Sequence, residues 1–221
     1  MVILAPSLLA ADFNHLEKEL RAIEKGGAKY LHFDVMDGIF VPNISFGIPV
    51  LKSLKAKRKL LFDVHLMIEE PHRYIAEFKE AGADILTIHY EAYEDIKPIL
   101  IQIRKMGIKA GVAISPDTDI EVIKEVMVFV DMILVMSVYP GRGGQAFIEE
   151  TYERIKKARR IIKESGLPVD LEVDGGIYAK NLERVLQAGA NVIVSGTGIF
   201  KGDIEENTKS FMEILNKYEN S

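Results

Sequence analysis

Cysteine is absent from the chain, which excludes disulfides, thiolate nucleophiles and cysteine-ligated zinc. No stretch is long and apolar enough to cross a bilayer as a helix. The apolar run at the start, Val2 to Leu4 and Leu8 to Ala11, is broken by Pro6 and Ser7 and follows no basic segment. It reads as a first strand and not as a signal sequence. Excess positive charge is also missing: 28 Lys and Arg stand against 33 Asp and Glu, a net charge of -5. With no long basic run, nucleic acid and anionic membrane are poor partners. No Pro/Ser-rich linker, low-complexity tract or strict repeat divides the chain. Glutamine occurs only three times beside 21 Glu and 19 Lys, a balance that leans towards a thermophilic source. A soluble, cytoplasmic protein is expected.

What is present is a globular balance, 48% hydrophobic and 28% charged over 221 residues. A chain of this size can bury roughly 70% of its unfolded surface. Short apolar runs begin near Ile3, Tyr30, Leu60, Asp84, Ile108, Asp131, Pro168 and Asn191. Between them lie segments with helical spacing, among them Asp12 to Lys25, Pro71 to Ala81, Glu94 to Met106, Glu149 to Lys163, Lys180 to Ala188 and Asp203 to Leu215. Asp12 is the expected N-cap of the first, and glycines at 26–27, 82, 107 and 189 are expected to close helices. Eight strand-helix units favour a closed TIM (β/α)8 barrel over an open sheet, as a single domain over residues 1–221.

Strand alternation then sorts the polar residues. In Leu31-His32-Phe33-Asp34-Val35-Met36, the apolar Leu31, Phe33 and Val35 share one face, leaving His32, Asp34 and Met36 on the other. In Leu60 to Met67, Asp63, His65 and Met67 oppose the apolar set. In Val169 to Gly176, Asp174 ends the strand opposite Leu171 and Val173. Barrel enzymes place their chemistry on the axis side at strand C-termini. Each residue alone is an ordinary core or surface group. Together His32, Asp34, His65 and Asp174 form an N2O2 set suited to one divalent ion, zinc foremost, with Fe(II), Mn or Co also accommodated.

Glycines follow the last strands, at Gly141, Gly143 and Gly144, at Gly175 and Gly176, and at Gly196 beside Thr197 and Gly198. Single loops of this kind make tight turns, but three on one rim favour phosphate binding. Met36, Met67 and Met136 fall at strand ends, where a water-poor lining would suit a carbanionic intermediate. His89 is either a support for the site or a buried structural histidine. Asp63 and Glu172 are expected as structural partners inside the barrel. His15 and His72 read as solvated helix residues, and Lys55 to Lys59 as a solvated loop.

The run Ser7-Leu8-Leu9-Ala10-Ala11-Asp12-Phe13 resembles the ribulose-phosphate 3-epimerase family. So do His32-Phe33-Asp34-Val35-Met36-Asp37-Gly38, Phe40-Val41-Pro42-Asn43, Asp63-Val64-His65-Leu66-Met67, Met136-Ser137-Val138, Gly143-Gly144-Gln145, Glu172-Val173-Asp174-Gly175-Gly176 and Ser195-Gly196. The resemblance runs in order from Ser7 to about Phe200. It implies reversible epimerisation at C3 of D-ribulose 5-phosphate to D-xylulose 5-phosphate, in the pentose phosphate pathway. By position it implies His32, Asp34, His65 and Asp174 as ligands of the metal, and Asp34 and Asp174 as the acid-base pair. It implies Ser7 and His65 as sugar contacts, and Gly141 to Gly144 with Gly175, Gly176, Gly196 and Thr197 around the rest of the sugar phosphate. Met36, Met67 and Met136 match its methionine lining, and a homo-oligomer is implied.

Tyr139 and Arg142 depart from the family pattern, in which a small polar or acidic residue and Phe are usual. Arg142 would lie in a mobile flap over the substrate, reaching either phosphate or solvent. The chemistry agrees with the resemblance. Inverting a carbon beside a ketone needs a proton removed from one face and returned to the other, through an enediolate that a divalent cation can stabilise. The alternatives are a 3-epimerase of a related ketose phosphate such as allulose 6-phosphate, a metal-dependent decarboxylase on the same barrel, and a non-catalytic sugar-phosphate binding module. The decarboxylase would need a cation at the strand ends, and no lysine stands there. The binding module should have lost one of the paired acids.

Overall fold

In the computed structural model, which describes residues 1–56 and 59–219, the eight short apolar runs become eight parallel strands. They are β1 (Ile3–Pro6), β2 (Tyr30–Met36), β3 (Leu61–Met67), β4 (Ile85–His89), β5 (Lys109–Ile114), β6 (Met132–Met136), β7 (Asp170–Asp174) and β8 (Val192–Ser195). Their order is β1-β8-β7-β6-β5-β4-β3-β2. The seam between β1 and β2 carries a parallel bridge from Ser7 to His32, which brings the sheet round to a nearly closed barrel. The expected TIM barrel is the fold.

The helices are α1 (Leu16–Gly26), α2 (Ile48–Lys55), α3 (Ile75–Ala81), α4 (Lys97–Lys105), α5 (Ile123–Val126), α6 (Thr151–Ser165), α7 (Ala179–Ala188), α8 (Thr197–Phe200) and α9 (Ile204–Glu219). Strands alternate between two burial environments. Leu31, Phe33 and Val35 of β2, with Phe62, Val64 and Leu66 of β3, join the core between barrel and helices. Phe33 and Phe62 are fully buried with ring centroids 6.4 Å apart; truncating such a residue to Ala costs about 3–5 kcal/mol.

The opposite faces stack along the axis in layers taken from alternate strands, as barrels of this kind require. Tyr30, Ile85, Met132 and Val192, from β2, β4, β6 and β8, form a buried apolar plug at the N-terminal end. Two residues further along the same strands come His32, Thr87, Leu134 and Val194. Two further again come Asp34, His89 and Met136. The register pairs His32 with Asp63, Asp34 with His65 and Met136 with Asp174. The titratable groups therefore sit above the plug, towards the C-terminal mouth.

Two local expectations are corrected. Helix α1 starts at Leu16, with His15 and not Asp12 at its N-cap. Asp12 instead makes a turn, accepting from the Asn14 N–H at 2.9 Å and from His15 Nδ1 at 2.7 Å. Lys55 is not in a solvated loop: it ends α2, and its Nζ donates to Asp84 Oδ2 at 2.6 Å. Lys59 is exposed, and residues 57 and 58 of that run lie outside the described residues. His15 is exposed, as expected. His72, also exposed, lies in a short turn of 3-10 helix where its ring meets Tyr93.

Candidate active site and metal centre

His32, Asp34, His65 and Asp174 come from β2, β3 and β7, and one ligand atom of each lies within 4.8 Å of the others. Asp34 is the hub. Its Oδ2 accepts from Ser7 Oγ at 2.6 Å. Its Oδ1 faces His65 Nδ1 at 3.2 Å and His32 Nε2 at 3.3 Å. Asp174 Oδ2 stands 4.0 Å from His32 Nε2, and the Asp174 side chain, 18% exposed, opens to the mouth while the two imidazoles are wholly buried.

Hydrogen bonds assign the ring nitrogens. His32 Nδ1 donates to Asp63 Oδ2 at 2.7 Å, so Nε2 is the nitrogen left to take a second proton or a cation. That atom is buried without a hydrogen-bond partner, aimed at Asp34 and Asp174. A buried imidazole nitrogen orphaned between two carboxylates fits a divalent cation, and two N with two O donors is a set that such ions accept. Asp63 and Glu172, both fully buried, are the expected interior partners; Glu172 Oε1 lies 3.5 Å from His32 Nδ1.

The electrostatics favour positive charge at this point. Burial would lower the His32 pKa, but Asp34 and Asp63 hold it well above the ordinary value. Burial likewise would raise Asp34, yet the charge and hydrogen bond of His32 keep it well below the carboxylate range. Asp174 goes the other way: burial and the Asp34 charge push it up to about 7. Burial, then the Asp63 charge, push Glu172 well above its usual value. Two carboxyls in one site thus differ in their hold on a proton.

Above them opens a cavity of about 450 Å³, of a size suited to a small phosphorylated ligand. Ser7, Asp34 and Asp174 reach it, as do Met36, Met67 and Met136. His32 and His65 lie beneath its lining. On the far side it is walled by Gly141, Arg142, Gly143 and Gly144 after β6, Gly175 and Gly176 after β7, and Gly196 and Thr197 after β8. All three glycine loops therefore share one cavity. At Gly176 only glycine fits: φ is +62°, and a Cβ would meet the Phe147 backbone nitrogen at 2.5 Å. Arg142 is exposed at the rim, and Tyr139, 53% exposed, donates its hydroxyl to Asp117 Oδ1 at 2.9 Å.

Sequence reasoning assigned no role to Asn43 or Ser45. Asn43 Nδ2 donates to Gly141 O at 3.0 Å, tying the loop after β2 to the loop after β6. Ser45 Oγ donates to Asp34 O at 2.7 Å. Ser137 Oγ donates to the carbonyls of Asp174 and Gly175, both at 2.7 Å. Irregular loops carry no periodic signal, so these contacts had none to read. His89 proves to be buried against the site, its Nε2 2.9 Å from His65 Nε2.

The family model described as Ribulose-phosphate 3 epimerase family matches residues 3–200. The chain belongs to this family. Among curated relatives, it is 44% identical over 201 residues to "Ribulose-phosphate 3-epimerase" of a Synechocystis species, covering 90% of this chain and 87% of the relative. It is 42% identical over 220 residues to the protein of that name from Aquifex aeolicus, covering 97% of each. Two solved structures share the fold at low identity. "KGPDC from Streptococcus mutans" matches with a TM-score of 0.75 at 10% identity over 99% of each chain. A 3-hexulose-6-phosphate synthase from Salmonella typhimurium matches with 0.74 at 17%, covering 99% of this chain and 100% of that one. Among the described residues of this family member, no helix is long and apolar enough to cross a membrane.

Proposed function

We propose that this family member interconverts D-ribulose 5-phosphate and D-xylulose 5-phosphate by epimerisation at C3, with Asp34 and Asp174 as its two proton-handling groups. The observation that carries this is the pair of carboxyls from β2 and β7 at the floor of one cavity, over two buried imidazoles. Family membership and the relatives' shared name support the reaction.

Asp34 is held ionised by His32 and by the Ser7 hydroxyl, so it can accept a proton from carbon. Asp174, with its pKa near 7, can carry a proton and deliver it to the opposite face. Reversal exchanges the roles. His32, Asp34, His65 and Asp174 would hold one divalent ion, zinc foremost, with Fe(II), Mn or Co as alternatives. Such an ion supplies Lewis-acid stabilisation to the adjacent oxygens of the enediolate. Ser7 would orient both Asp34 and the sugar, while the burial of His65 suits it to ligation more than to direct sugar contact. The three methionines exclude water from the reacting carbon, and the glycine loops with Thr197 would hold the phosphate end. Arg142, exposed on the rim, would meet either phosphate or solvent. We further propose a cytoplasmic homo-oligomer.

Turnover of ribulose 5-phosphate, with solvent deuterium entering at C3, tests the reaction; binding without exchange would leave only a binding module. Rates on five- and six-carbon ketose phosphates side by side test the substrate. Chelator-treated protein should lose activity and regain it with Zn, Co or Mn. Full activity in a rigorously metal-free preparation would remove the ion from the account.

A further inference from the structure

We propose that His89 and Glu91 are positioning residues that hold His65 in the tautomer whose Nδ1 faces Asp34. This rests on the metal-site reading above. The chain of contacts starts outside the cavity. Arg154 of α6 donates to the carbonyls of Thr118 at 2.7 Å and Ser115 at 2.8 Å, pinning the loop after β5. That loop in turn grips Glu91, whose Oε1 accepts from the Ser115 N–H at 2.9 Å and from Thr118 Oγ1 at 2.5 Å. The other oxygen, Oε2, faces His89 Nδ1 at 3.1 Å.

A carboxylate can only accept, so His89 carries its hydrogen on Nδ1 and presents the Nε2 lone pair inward. His65 Nε2 lies 2.9 Å from that lone pair and must donate to it. The His65 hydrogen is thereby fixed on Nε2, and Nδ1 is left as a lone pair beside Asp34 Oδ1. Moving the His89 hydrogen to Nε2 would set its Nδ1 lone pair against the Glu91 carboxylate, which has no hydrogen to give. His89 is fully buried, stacked on His65 at 28° and packed on Phe40, so the ring has little room to turn. The arrangement parallels His32, which Asp63 orients in one step. On the β3 side the orienting carboxylate stands one imidazole further out, in the short 3-10 helix that follows β4.

The test uses full-length apoprotein and metal alone, with zinc affinity read by chelator competition and Co(II) absorption reporting the ligand field. His89→Phe keeps bulk and removes the acceptor; it should weaken zinc binding 10- to 100-fold and alter the Co(II) spectrum. His89→Gln, whose amide oxygen can accept from His65, should recover most of the affinity. Glu91→Ala, at the outer end, should weaken binding several-fold even if His89→Phe fails to fold. Wild-type affinity in Glu91→Ala, or in a folded His89→Phe, would overturn the proposal, as would a His89→Gln no better than a folded His89→Phe. A wild-type protein that bound neither zinc nor cobalt would overturn the metal-site reading itself, a distinguishable result.

Discussion

Asp34 is held by three neighbours at once, and its neighbour Asp174 by almost none. Ser7, His32 and His65 all approach Asp34, whereas Asp174 sits 4.0 Å from His32 and open to the mouth. The asymmetry suits one residue to take a proton and the other to give it. Asp34→Asn and Asp174→Asn should each lower kcat by at least 10²–10⁴-fold while circular dichroism stays unchanged. Near-normal turnover in either would overturn the two-carboxyl account. Glu91 offers a separate signature. Burial would raise its pKa, but hydrogen bonds with His89 and Thr118 bring it from 4.5 to about 2. A folded-state value below the unfolded one contributes stability above about pH 4.5 that is lost as pH falls towards 2. Glu91→Gln should therefore cost about 1–2 kcal/mol at pH 7, discounted for its partial exposure, and nothing near pH 2. Denaturant unfolding of both proteins across that range decides; a gap independent of pH would contradict the ionic origin.

Elements set where these residues meet. Each strand start expected from apolar runs lies within two residues of the observed one, because buried parallel strands leave a continuous apolar signal. Short helices such as α5, four residues long, were not legible, since one turn shows no period. The alternation rule placed His32, Asp34, His65 and Asp174 on the axis face, and the structure brings all four together. The same rule was silent on Asn43, Ser45 and Glu91, which lie in loops or short turns. The β7–α7 turn gives the prediction at this scale. Gly176→Ala would force a positive φ and a backbone clash, a strain of about 1–3 kcal/mol. It should raise KM for the sugar phosphate about tenfold or more and lower the thermal midpoint. An unaffected KM would remove this turn from the phosphate end of the cavity.

At the scale of the whole molecule, the candidate metal donors span strands far apart in the chain. They come from β2, β3 and β7, and β2 borders the seam that the Ser7–His32 bridge closes. An ion held there would tie distant segments of the folded barrel and nothing comparable in the unfolded chain. Zinc at about 100 times its dissociation constant should then stabilise the fold by about 2.7 kcal/mol, or about 5–10 °C in Tm. Asp174→Asn should show a smaller rise. A Tm indifferent to zinc would place any bound ion outside this site.

The amino-acid sequence by itself determined the strand-helix alternation, the faces of each strand and the candidate donors, because burial and backbone pleat write periods of 3.6 and 2 into local composition. It determined also which family the chain resembles. Only the tertiary structure decided that β2, β3 and β7 bring their donors within 4.8 Å of one another, that His32 Nε2 is left orphaned, and that Glu91 reaches His65 through His89. Those facts depend on register and on contacts between segments remote in the chain, which no local period encodes.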